Sequence, residues 1–393
     1  MSKHVIIAGA GPCGLLVALG LAQAGSRVTV LEEAEELNDS PRAIVYHHPV
    51  LPHLEKLGVL KDCMEAGMLR EVFAWHIHET GEMIQWDTKT ALEGTTPYPY
   101  ALHLHQGLLS RIAARHVEAN SNVELRRLTR LTGCKQHDSG IVAELETASG
   151  TEVLEGDYLV GADGATSVVR KQILALNFFG YTWPERYIAT NTRIELDSLG
   201  YCKTTMQIDH KHGAVICKID DKDMWRVTFM EDARLPDDGI AQRIEEMFVD
   251  HLPDVPYEVA AFSPYRMHQR IADSMRVGRV LLVGDAAHVT NPTGGLGLTG
   301  GMFDSFALIE ALNRVIHDGA GEDVLDFYEA DRRRIFIELT SPRAADNLRN
   351  LYKAYPGIGK DALVARLREI AENRDLMRQE LSFTENMETH FPG

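Results

Sequence analysis

The chain has 393 residues, and 45% of them are hydrophobic, so it is long enough to form a substantial core and two domains. Its formal net charge is −17, with 57 acidic against 40 basic residues. No strongly basic run is present, which argues against nucleic acid or an anionic membrane surface as a partner. No apolar stretch is long enough to span a bilayer, so no membrane association is predicted.

The cysteine pattern and the start of the chain bear on location. Five cysteines are scattered without a CxxC pair, which predicts reduced thiols and neither a disulfide framework nor a zinc site. A strand predicted almost at the first residue leaves no room for a signal peptide. The sequence therefore predicts a cytoplasmic protein.

The first predicted elements form a nucleotide-binding unit. A short apolar strand over residues 4–8 precedes the turn Gly9-Ala10-Gly11-Pro12-Cys13-Gly14. In such a turn Gly9 permits the tight bend, Gly11 lets a pyrophosphate approach the backbone, and Gly14 lets the following helix pack closely. That helix, predicted over 13–24, offers free N–H groups to a diphosphate.

A second strand, predicted over 27–31, ends at Glu32. This is close to the spacing at which an acid accepts hydrogen bonds from the ribose of a dinucleotide. The unit therefore predicts an adenine dinucleotide, but by itself it does not separate FAD from NAD.

Two further glycine-rich turns also follow apolar strands. The turn Gly161-Ala162-Asp163-Gly164 follows a strand that ends at Val160, and Gly284-Asp285 follows a strand over 280–283. The second of these continues into the loop Pro292-Thr293-Gly294-Gly295-Leu296-Gly297, which is nearly free of large side chains, so a flat ring could lie against its backbone. A helix predicted over 302–315 would add its positive end to that loop. Three such turns in this order favour FAD over NAD.

The chain resembles the group A flavoprotein aromatic hydroxylases, the family of para-hydroxybenzoate hydroxylase and its phenol-hydroxylating relatives. The matching residues occur in family order: Gly9, Gly11, Gly14, Glu32, Ser40-Pro41-Arg42-Ala43, Gln106, Leu109, Ile112, Asp163-Gly164, Gly284-Asp285-Ala286-Ala287-His288, Pro292, Gly295, Gly297 and Asp304. One departure is Thr299, which stands where the family usually has asparagine.

The resemblance implies a role for several of these residues. Glu32 would hold the adenosine ribose, and Arg42 and Gln106 would contact the ribityl-phosphate region of the flavin. Asp285 would hold the ribityl chain. The implied cofactor-binding set is Gly9, Ala10, Gly11, Gly14, Glu32, Arg42, Gln106, Asp163, Gly164, Asp285, Pro292, Gly295, Leu296 and Gly297.

The predicted fold class is α/β, with a Rossmann-type FAD-binding domain, an inserted, mostly antiparallel β-sheet domain for the substrate, and a helical C-terminus. The sheet strands are predicted over 71–78, 186–196, 212–219, 224–230 and 257–268. We expect the FAD-binding domain at 1–70, 98–178 and 276–355, the sheet domain at 71–97 and 179–275, and the tail at 356–393. One amphipathic helix is predicted in the tail over 360–380, covering the FAD-binding domain or contacting another subunit.

Two histidines and five further residues are candidates for contact with the substrate. His47 or His48 could hydrogen-bond or deprotonate a phenol, because the ordinary pKa of histidine is about 6.5. An alternative is that either histidine serves only in packing. The candidate pocket residues are Tyr46, Tyr181, Arg193, Tyr201 and Phe229.

Three HxH pairs raise the question of a metal: His76 and His78, His103 and His105, and His210 and His212. On a strand the two members of each pair would share a face. No carboxylate or cysteine set completes a site at suitable spacing, so no metal is predicted.

The resemblance implies an FAD-dependent, NAD(P)H-consuming monooxygenase that uses O2 to hydroxylate a small electron-rich aromatic, such as a phenol or hydroxypyridine, through a flavin hydroperoxide. Epoxidation or Baeyer–Villiger oxygenation on the same fold is an alternative. Halogenation is disfavoured because Thr182-Trp183-Pro184 does not match the Trp-x-Trp-x-Ile-Pro segment of halogenases. An NAD-dependent dehydrogenase and a non-catalytic flavin-binding protein are alternatives of other classes. NADH against NADPH, and monomer against homodimer, stay open.

Overall fold

The computed structural model describes residues 3–39, 43–211, 213–252, 254–352 and 358–392. The strands, in chain order, are β1 (His4–Ala8), β2 (Arg27–Leu31), β3 (Val45–Tyr46), β4 (Met68–Arg70), β5 (Val72–Ile77), β6 (Glu82–Asp87), β7 (Ala101–His103), β8 (Val123–Arg126), β9 (Thr129–His137), β10 (Gly140–Thr147), β11 (Gly150–Gly156), β12 (Tyr158–Gly161), β13 (Phe178–Ile194), β14 (Thr204–Ile208), β15 (Ala214–Lys218), β16 (Met224–Asp232), β17 (Tyr257–Ala272), β18 (Arg276–Val277), β19 (Val280–Leu282) and β20 (His288–Val289). The helices are α1 (Pro12–Gln23), α2 (Leu51–Lys56), α3 (Leu60–Ala66), α4 (Thr88–Leu92), α5 (Gln106–Glu118), α6 (Ile240–His251), α7 (Leu296–Ile316), α8 (Asp323–Ile335), α9 (Ser341–Tyr352), α10 (Ile358–Glu372) and α11 (Arg374–Leu381).

A six-stranded sheet carries the three glycine turns. Its strand order is β18-β19-β12-β1-β2-β8, and β1 is buried at all five residues because it is apolar and lies in the middle. Strands β19, β12, β1, β2 and β8 run parallel, so their carboxyl ends share one edge of the sheet. The turns that follow β1, β12 and β19 therefore meet at the edge where open α/β sheets bind ligands.

An eight-stranded sheet forms the second large layer, in the order β20-β17-β13-β16-β15-β14-β5-β6. All its pairs are antiparallel except that between β14 and β5, which confirms the expected mostly antiparallel sheet. Strands β15 and β16 pair across residues 219–223. Strands β5 and β6, from the 71–97 segment, join this sheet, while the domain boundaries themselves stay a prediction.

The helical tail differs from its prediction. Two helices, α10 and α11, replace the single helix expected over 360–380. Asn373 separates them because its backbone is extended and its side chain accepts hydrogen bonds from the N–H groups of Asp375 (3.0 Å) and Leu376 (3.2 Å), which caps α11. Helix α10 packs on β6, where Trp86 Nε1 donates to the Leu367 carbonyl (3.2 Å). Part of the tail therefore covers the eight-stranded sheet.

Smaller elements complete the structure. Two further sheets have three strands each, in the orders β11-β10-β9 and β3-β7-β4. Among the described residues, no helix has both the length and the apolar character needed to cross a membrane.

Candidate active site

One continuous cavity of about 1190 Å³ runs from the three glycine turns to the inner face of the eight-stranded sheet. A pocket for a single drug-sized molecule typically has about 300–1000 Å³, so this cavity has room for more than one small ligand. Backbone and small residues of the turns line one end. Aromatic and apolar side chains line the other end: Phe73, Trp75, Trp86, Tyr187, Met206 and Tyr265.

The first turn has the shape that a pyrophosphate requires. Gly9 has φ +103°, and a Cβ there would lie 2.5 Å from the carbonyl oxygen of Ala162. A Cβ on Gly14 would lie 2.1 Å from the Gly9 carbonyl oxygen, so both positions require glycine. At Gly11, by contrast, a Cβ would meet no described atom within 4 Å. Gly11 and Ala10 both line the cavity, and the open space at Gly11 is where a diphosphate would lie against the backbone.

The N-terminus of α1 completes this cradle. Gly11 is the N-cap residue, and no described side chain caps the helix, so its first N–H groups are available to an anion. The turn and the helix therefore fit the diphosphate of FAD.

Glu32 lines the cavity beside this turn. Its Oε2 accepts a hydrogen bond from the Ala10 N–H (2.9 Å) and its Oε1 accepts one from the Ala34 N–H (3.0 Å). A carboxylate has about four acceptor positions, so Glu32 can hold the turn and still accept bonds from a ribose.

In the second turn, Asp163 has a local structural task. Its side chain accepts hydrogen bonds from the Ser167 hydroxyl and from the N–H groups of Val168 (2.7 Å) and Val169 (3.1 Å), at the start of the short π-helical turn Val169–Ile173. The Ser167 Oγ in turn accepts from the Arg170 N–H (2.9 Å). Asp163 and Gly164 both line the cavity, so this turn shapes its wall.

The third turn presents an acid to the cavity. Asp285 lines the cavity and is exposed, whereas its neighbours Gly284 and Ala286 are buried. The following loop contributes Pro292, Gly295, Leu296 and Gly297 to the same wall. Helix α7 begins at Leu296, six residues before its predicted start, so its N-terminal end lies at this loop.

Thr299 lies away from the cavity. Its Oγ1 donates a hydrogen bond to the Gly295 carbonyl one helical turn earlier (2.8 Å), and its side chain is buried. The hydroxyl is therefore used inside α7, and the departure from asparagine does not place a new group on the cavity wall.

A buried charged network lies behind the third turn. Asp304 Oδ1 is 2.7 Å from Arg332 Nε, and Asp304 Oδ2 is 2.8 Å from His288 Nε2. The Gly284 N–H also donates to Asp304 Oδ2 (3.0 Å). Burial alone would raise the pKa of Asp304, but the charges of His288 and Arg332 outweigh it and lower that pKa to about 2. The network fixes the turn that carries Asp285 to helix α7.

The two histidines predicted as proton acceptors have different surroundings. His47 lines the cavity, and its Nε2 donates to the Gly294 carbonyl (2.9 Å), so Nδ1 is the atom left to accept. Burial lowers the pKa of His47 to about 4, which makes its neutral ring a weak base. His48 turns instead to Glu385, at 2.9 Å. The geometry favours a role for His47 in holding the loop over a role as general base.

The family described as "FAD binding domain" matches residues 2–341. The chain belongs to the group A flavoprotein aromatic hydroxylases. It is an FAD-dependent monooxygenase that uses O2 and NAD(P)H, which excludes the alternatives of an NAD-dependent dehydrogenase and of a non-catalytic binding protein.

Two curated relatives cover nearly the whole chain. It is 59% identical over 390 residues to 6-hydroxy-3-succinoylpyridine 3-monooxygenase HspB of Pseudomonas putida (strain DSM 28022 / S16), covering 99% of each chain. It is 40% identical over 381 residues to para-nitrophenol 4-monooxygenase of Pseudomonas sp. (strain WBC-3), covering 95% of this chain and 93% of the relative.

Solved structures support the same assignment. The crystal structure of p-nitrophenol 4-monooxygenase PnpA from Pseudomonas putida DLL-E4 matches with a TM-score of 0.94 at 36% identity, over 100% of this chain and 99% of the other. A ternary complex of aklavinone-11 hydroxylase with FAD and aklavinone matches with a TM-score of 0.79 at 29% identity, over 89% of this chain and 69% of that one.

Gln106 and Arg42 are the two remaining residues of the hydroxylase that were predicted to bind the cofactor. Gln106 is the first residue of α5 and lines the cavity. Arg42 lies outside the described residues, so its predicted contact with the flavin stays a prediction.

The five predicted pocket residues lie elsewhere, and none of them lines the cavity. Tyr46 is buried in the core, and Tyr181 is 45% exposed at the surface. Arg193 pairs with Asp223 at 3.1 Å, where both side chains are about half exposed. The Tyr201 hydroxyl and Phe229 also point away from the cavity, the first to Gln207 (3.4 Å) and the second into the core under α6.

Strand geometry explains part of this difference. Thr228 lines the cavity, and adjacent residues of a strand point to opposite faces, so Phe229 faces away. Sequence pattern alone did not tell which face of β16 looks inward, because most of this strand is buried on both faces.

Several cavity residues were not predicted. Tyr187 donates to or accepts from the Thr293 hydroxyl (2.8 Å) and so joins the eight-stranded sheet to the third loop. Arg70, at the end of β4, places a buried guanidinium on the cavity wall. Tail residues Leu363, Leu367 and Leu381 also line the cavity, and no motif marked any of these positions.

The HxH pairs have other partners. His76 bonds Gln207 (2.9 Å), His103 bonds the Thr204 hydroxyl (2.8 Å), and His105 caps α5. His212 lies outside the described residues. Within the described ranges, no group of three or more His, Cys, Asp or Glu side chains could hold a metal.

Proposed function

We propose that this hydroxylase oxygenates a hydroxypyridine with an acidic side chain, at the ring carbon opposite the hydroxyl group. The observation that carries the proposal is the 59% identity to 6-hydroxy-3-succinoylpyridine 3-monooxygenase over 99% of both chains. Position 3 in that name lies opposite the hydroxyl at position 6. In para-nitrophenol 4-monooxygenase, the numbered carbon again lies opposite the hydroxyl.

The residues proposed to hold FAD are those of the three turns and their neighbours. Gly9, Ala10, Gly11 and Gly14 would contact the diphosphate, Glu32 the ribose, and Asp285 the ribityl chain. Gln106, Asp163, Gly164, Pro292, Gly295, Leu296 and Gly297 would form the rest of the wall, together with Arg42. When bound, FAD supplies the redox chemistry, because it takes electrons from NAD(P)H and delivers them to O2.

The other end of the cavity would bind and orient the aromatic ring. Trp75, Trp86 and Met206 give it an apolar wall that excludes bulk water, and Tyr187 and Tyr265 add polar atoms at its edge. His47 would hold the Gly294 carbonyl, and with it the loop between ring and cofactor.

A nitrophenol is the second candidate substrate. The TM-score of 0.94 to p-nitrophenol 4-monooxygenase favours it, although the sequence identity is lower, at 36%. A hydroxypyridine and a nitrophenol share a flat ring with an acidic hydroxyl group, so one pocket could be tested against both.

The test is turnover of the purified holoenzyme under ¹⁸O₂ with 6-hydroxy-3-succinoylpyridine and with 4-nitrophenol, using NADH and NADPH in parallel. We expect pyridine-stimulated consumption of NADH or NADPH and one ¹⁸O atom in the aromatic product, measured by mass spectrometry. Formation of hydrogen peroxide alone would contradict the proposal. A much higher kcat/KM for 4-nitrophenol would move it to the second candidate.

Location and assembly also belong to this proposal. The net charge of −17 and the absence of disulfides among the five cysteines support a cytoplasmic enzyme that does not bind nucleic acid. We expect a monomer or a homodimer, which light scattering on the holoenzyme will distinguish.

A further inference from the structure

Arg70 differs from the other arginines of the cavity. It is the last residue of β4, pairs with Ala101 of β7, and is only 4% exposed. Its Nε and Nη1 atoms are buried without a hydrogen-bond partner among the described residues. Its guanidinium lies 5.5 Å from the centre of the Phe73 ring and lines the cavity.

The surroundings of Arg70 do not supply a counter-charge. No described carboxylate forms an ion pair with it. The titratable groups that face it are the thiols of Cys202 and Cys217 and the imidazoles of His47, His48 and His103. Burial lowers the pKa of Arg70 to about 10, so it still carries its charge at neutral pH.

Two other cavity arginines show the contrast. Arg343 is paired with Glu380 (2.6 Å), and Arg226 donates from Nε and Nη2 to the Asn191 side-chain oxygen (3.0 and 2.9 Å). A buried guanidinium without a hydrogen-bond partner or counter-charge is costly to the folded protein, because it has lost its hydration and gained neither in exchange. Such a group facing a ligand cavity is explained if the ligand itself brings the negative charge.

We infer that Arg70 binds an anionic oxygen of the aromatic substrate and makes the hydroxylase selective for anionic substrates, an inference that rests on the proposed function. The oxygen is either the ionised ring hydroxyl or a side-chain carboxylate. Both fit a guanidinium, whose N–H groups form a planar fork that matches oxyanions. Arg70 is near His47, which holds the loop at Gly294, so the bound anion would lie close to that loop.

The ring-hydroxyl arm of the test uses 4-nitrophenol, whose ionised form, the phenolate, absorbs visible light. The oxidised holoenzyme is titrated without reductant, so no turnover occurs. In the wild type we expect the ionisation midpoint of bound 4-nitrophenol to lie about one pH unit or more below that of the free compound, because an adjacent positive charge favours the phenolate. Arg70→Met should abolish this shift, and Arg70→Lys should keep part of it.

The carboxylate arm compares 6-hydroxypyridine-3-carboxylate with its neutral amide, each binding being followed by the change in flavin absorbance. If the side-chain carboxylate is the partner, Arg70→Met should raise the Kd of the acid about tenfold or more and leave that of the amide within about twofold. Arg343→Met is the matched control, since it makes the same substitution on the same cavity at an arginine that has its own acid. A response in either arm, absent from the control, supports the inference and names the oxygen.

Unchanged binding in both arms would overturn the inference. So would a lower melting temperature of flavin-loaded, substrate-free Arg70→Met, since a charge kept for a ligand should leave the protein equally or more stable when it is removed. Failure of the proposed function looks different. In that case the wild type would not oxygenate the hydroxypyridine, while the response of the Arg70 variants to anions would persist.

Discussion

The two ends of the cavity are built in different ways. At the cofactor end, the wall consists mainly of backbone from three turns, and glycines such as Gly9 and Gly14 stand where a side chain cannot fit. At the sheet end, the wall consists of side chains from β5, β6, β13, β14, β15, β16 and β17 and from the tail, many of which are far apart in the sequence. The first end is therefore written in short local motifs, whereas the second depends on how distant strands and helices come together.

Mutations in the three turns and mutations on the substrate wall should therefore have different effects. A change in a turn should act through backbone geometry or through cofactor affinity. A change on the sheet should act on substrate affinity and leave the cofactor in place.

Gly9→Ala and Gly11→Ala should separate geometry from ligand space within one turn. At Gly9, the φ of +103° and the Ala162 oxygen 2.5 Å from a new Cβ should cost at least about 3 kcal/mol of unfolding free energy. At Gly11, φ is −73° and the added methyl meets no described atom, so stability of the flavin-free protein should stay within about 0.5 kcal/mol. Urea unfolding of both apoproteins measures this difference.

The Gly11→Ala substitution should instead affect the affinity for FAD. The folded Gly11→Ala protein should bind FAD about tenfold or more weakly, because the methyl occupies the space where the diphosphate approaches. Normal FAD affinity in Gly11→Ala, measured by flavin fluorescence, would contradict our placement of the diphosphate.

Asp304→Asn should destabilise the protein by about 3–5 kcal/mol, because it leaves the buried Arg332 without its acid. The folded pKa of Asp304, about 2, lies below its unfolded value of about 3.9, so its contribution is fully present above pH 4 and is lost as the pH falls through 2. The difference in unfolding free energy between the wild type and Asp304→Asn should therefore shrink by about 1 kcal/mol as the pH falls from 7 to 3.

Urea unfolding at the two pH values measures this gap. Asp346→Asn is the control, since Asp346 belongs to an exposed pair with Arg349 (3.0 Å) and should change stability by less than about 0.5 kcal/mol. A gap between wild type and Asp304→Asn that does not depend on pH would show that the carboxylate is not held ionised by its neighbours.

Asp285→Asn should weaken FAD binding about tenfold or more, because one charge-assisted hydrogen bond is lost, and leave the melting temperature of the apoprotein unchanged. The side chain is exposed on the cavity wall, so the fold should tolerate the change. A full complement of flavin in the purified variant would contradict our placement of the ribityl chain beside Asp285.

Arg193→Ala should have the smallest effect. Its ion pair with Asp223 is half exposed, so the change in unfolding free energy should be less than about 1 kcal/mol, and KM for the substrate should stay within about twofold. A large rise in KM would return Arg193 to the substrate pocket and blur the distinction between the two ends of the cavity.

The sequence predicted the cofactor end well because its signals are local. Strand β1 has the predicted bounds, β2 has them too, and α1 begins one residue early. Glycine spacing reflects steric demands that a few neighbouring residues create, as at Gly9 and Gly14. The early start of α7 was missed because its first turn is glycine-rich, and glycine disfavours helix in the absence of tertiary contacts.

The substrate end could not be predicted in the same way. For strand residues such as Tyr181 and Phe229, the face to which the side chain points depends on register and on what packs against the sheet. Arg70 carries no motif, and its importance arises only because its buried Nε and Nη1 have no hydrogen-bond partner among the described residues. The break at Asn373 was also missed, because the residues on both sides of it continue a helical pattern.

The strand order of the six-stranded sheet determines when each strand can join the sheet during synthesis on the ribosome. Strand β1 takes its neighbours from residues 27–31 on one side and 158–161 on the other, and β19 at 280–282 must still be added beyond them. A nascent chain of half the final length would expose an unpaired edge of β12, and the third turn would not yet exist. Contacts so distant in sequence form slowly and leave an unfinished sheet open to aggregation. Cells that make this enzyme should therefore recover more of it when growth is cooled and FAD is abundant, since the proposed FAD site includes the last of the three turns.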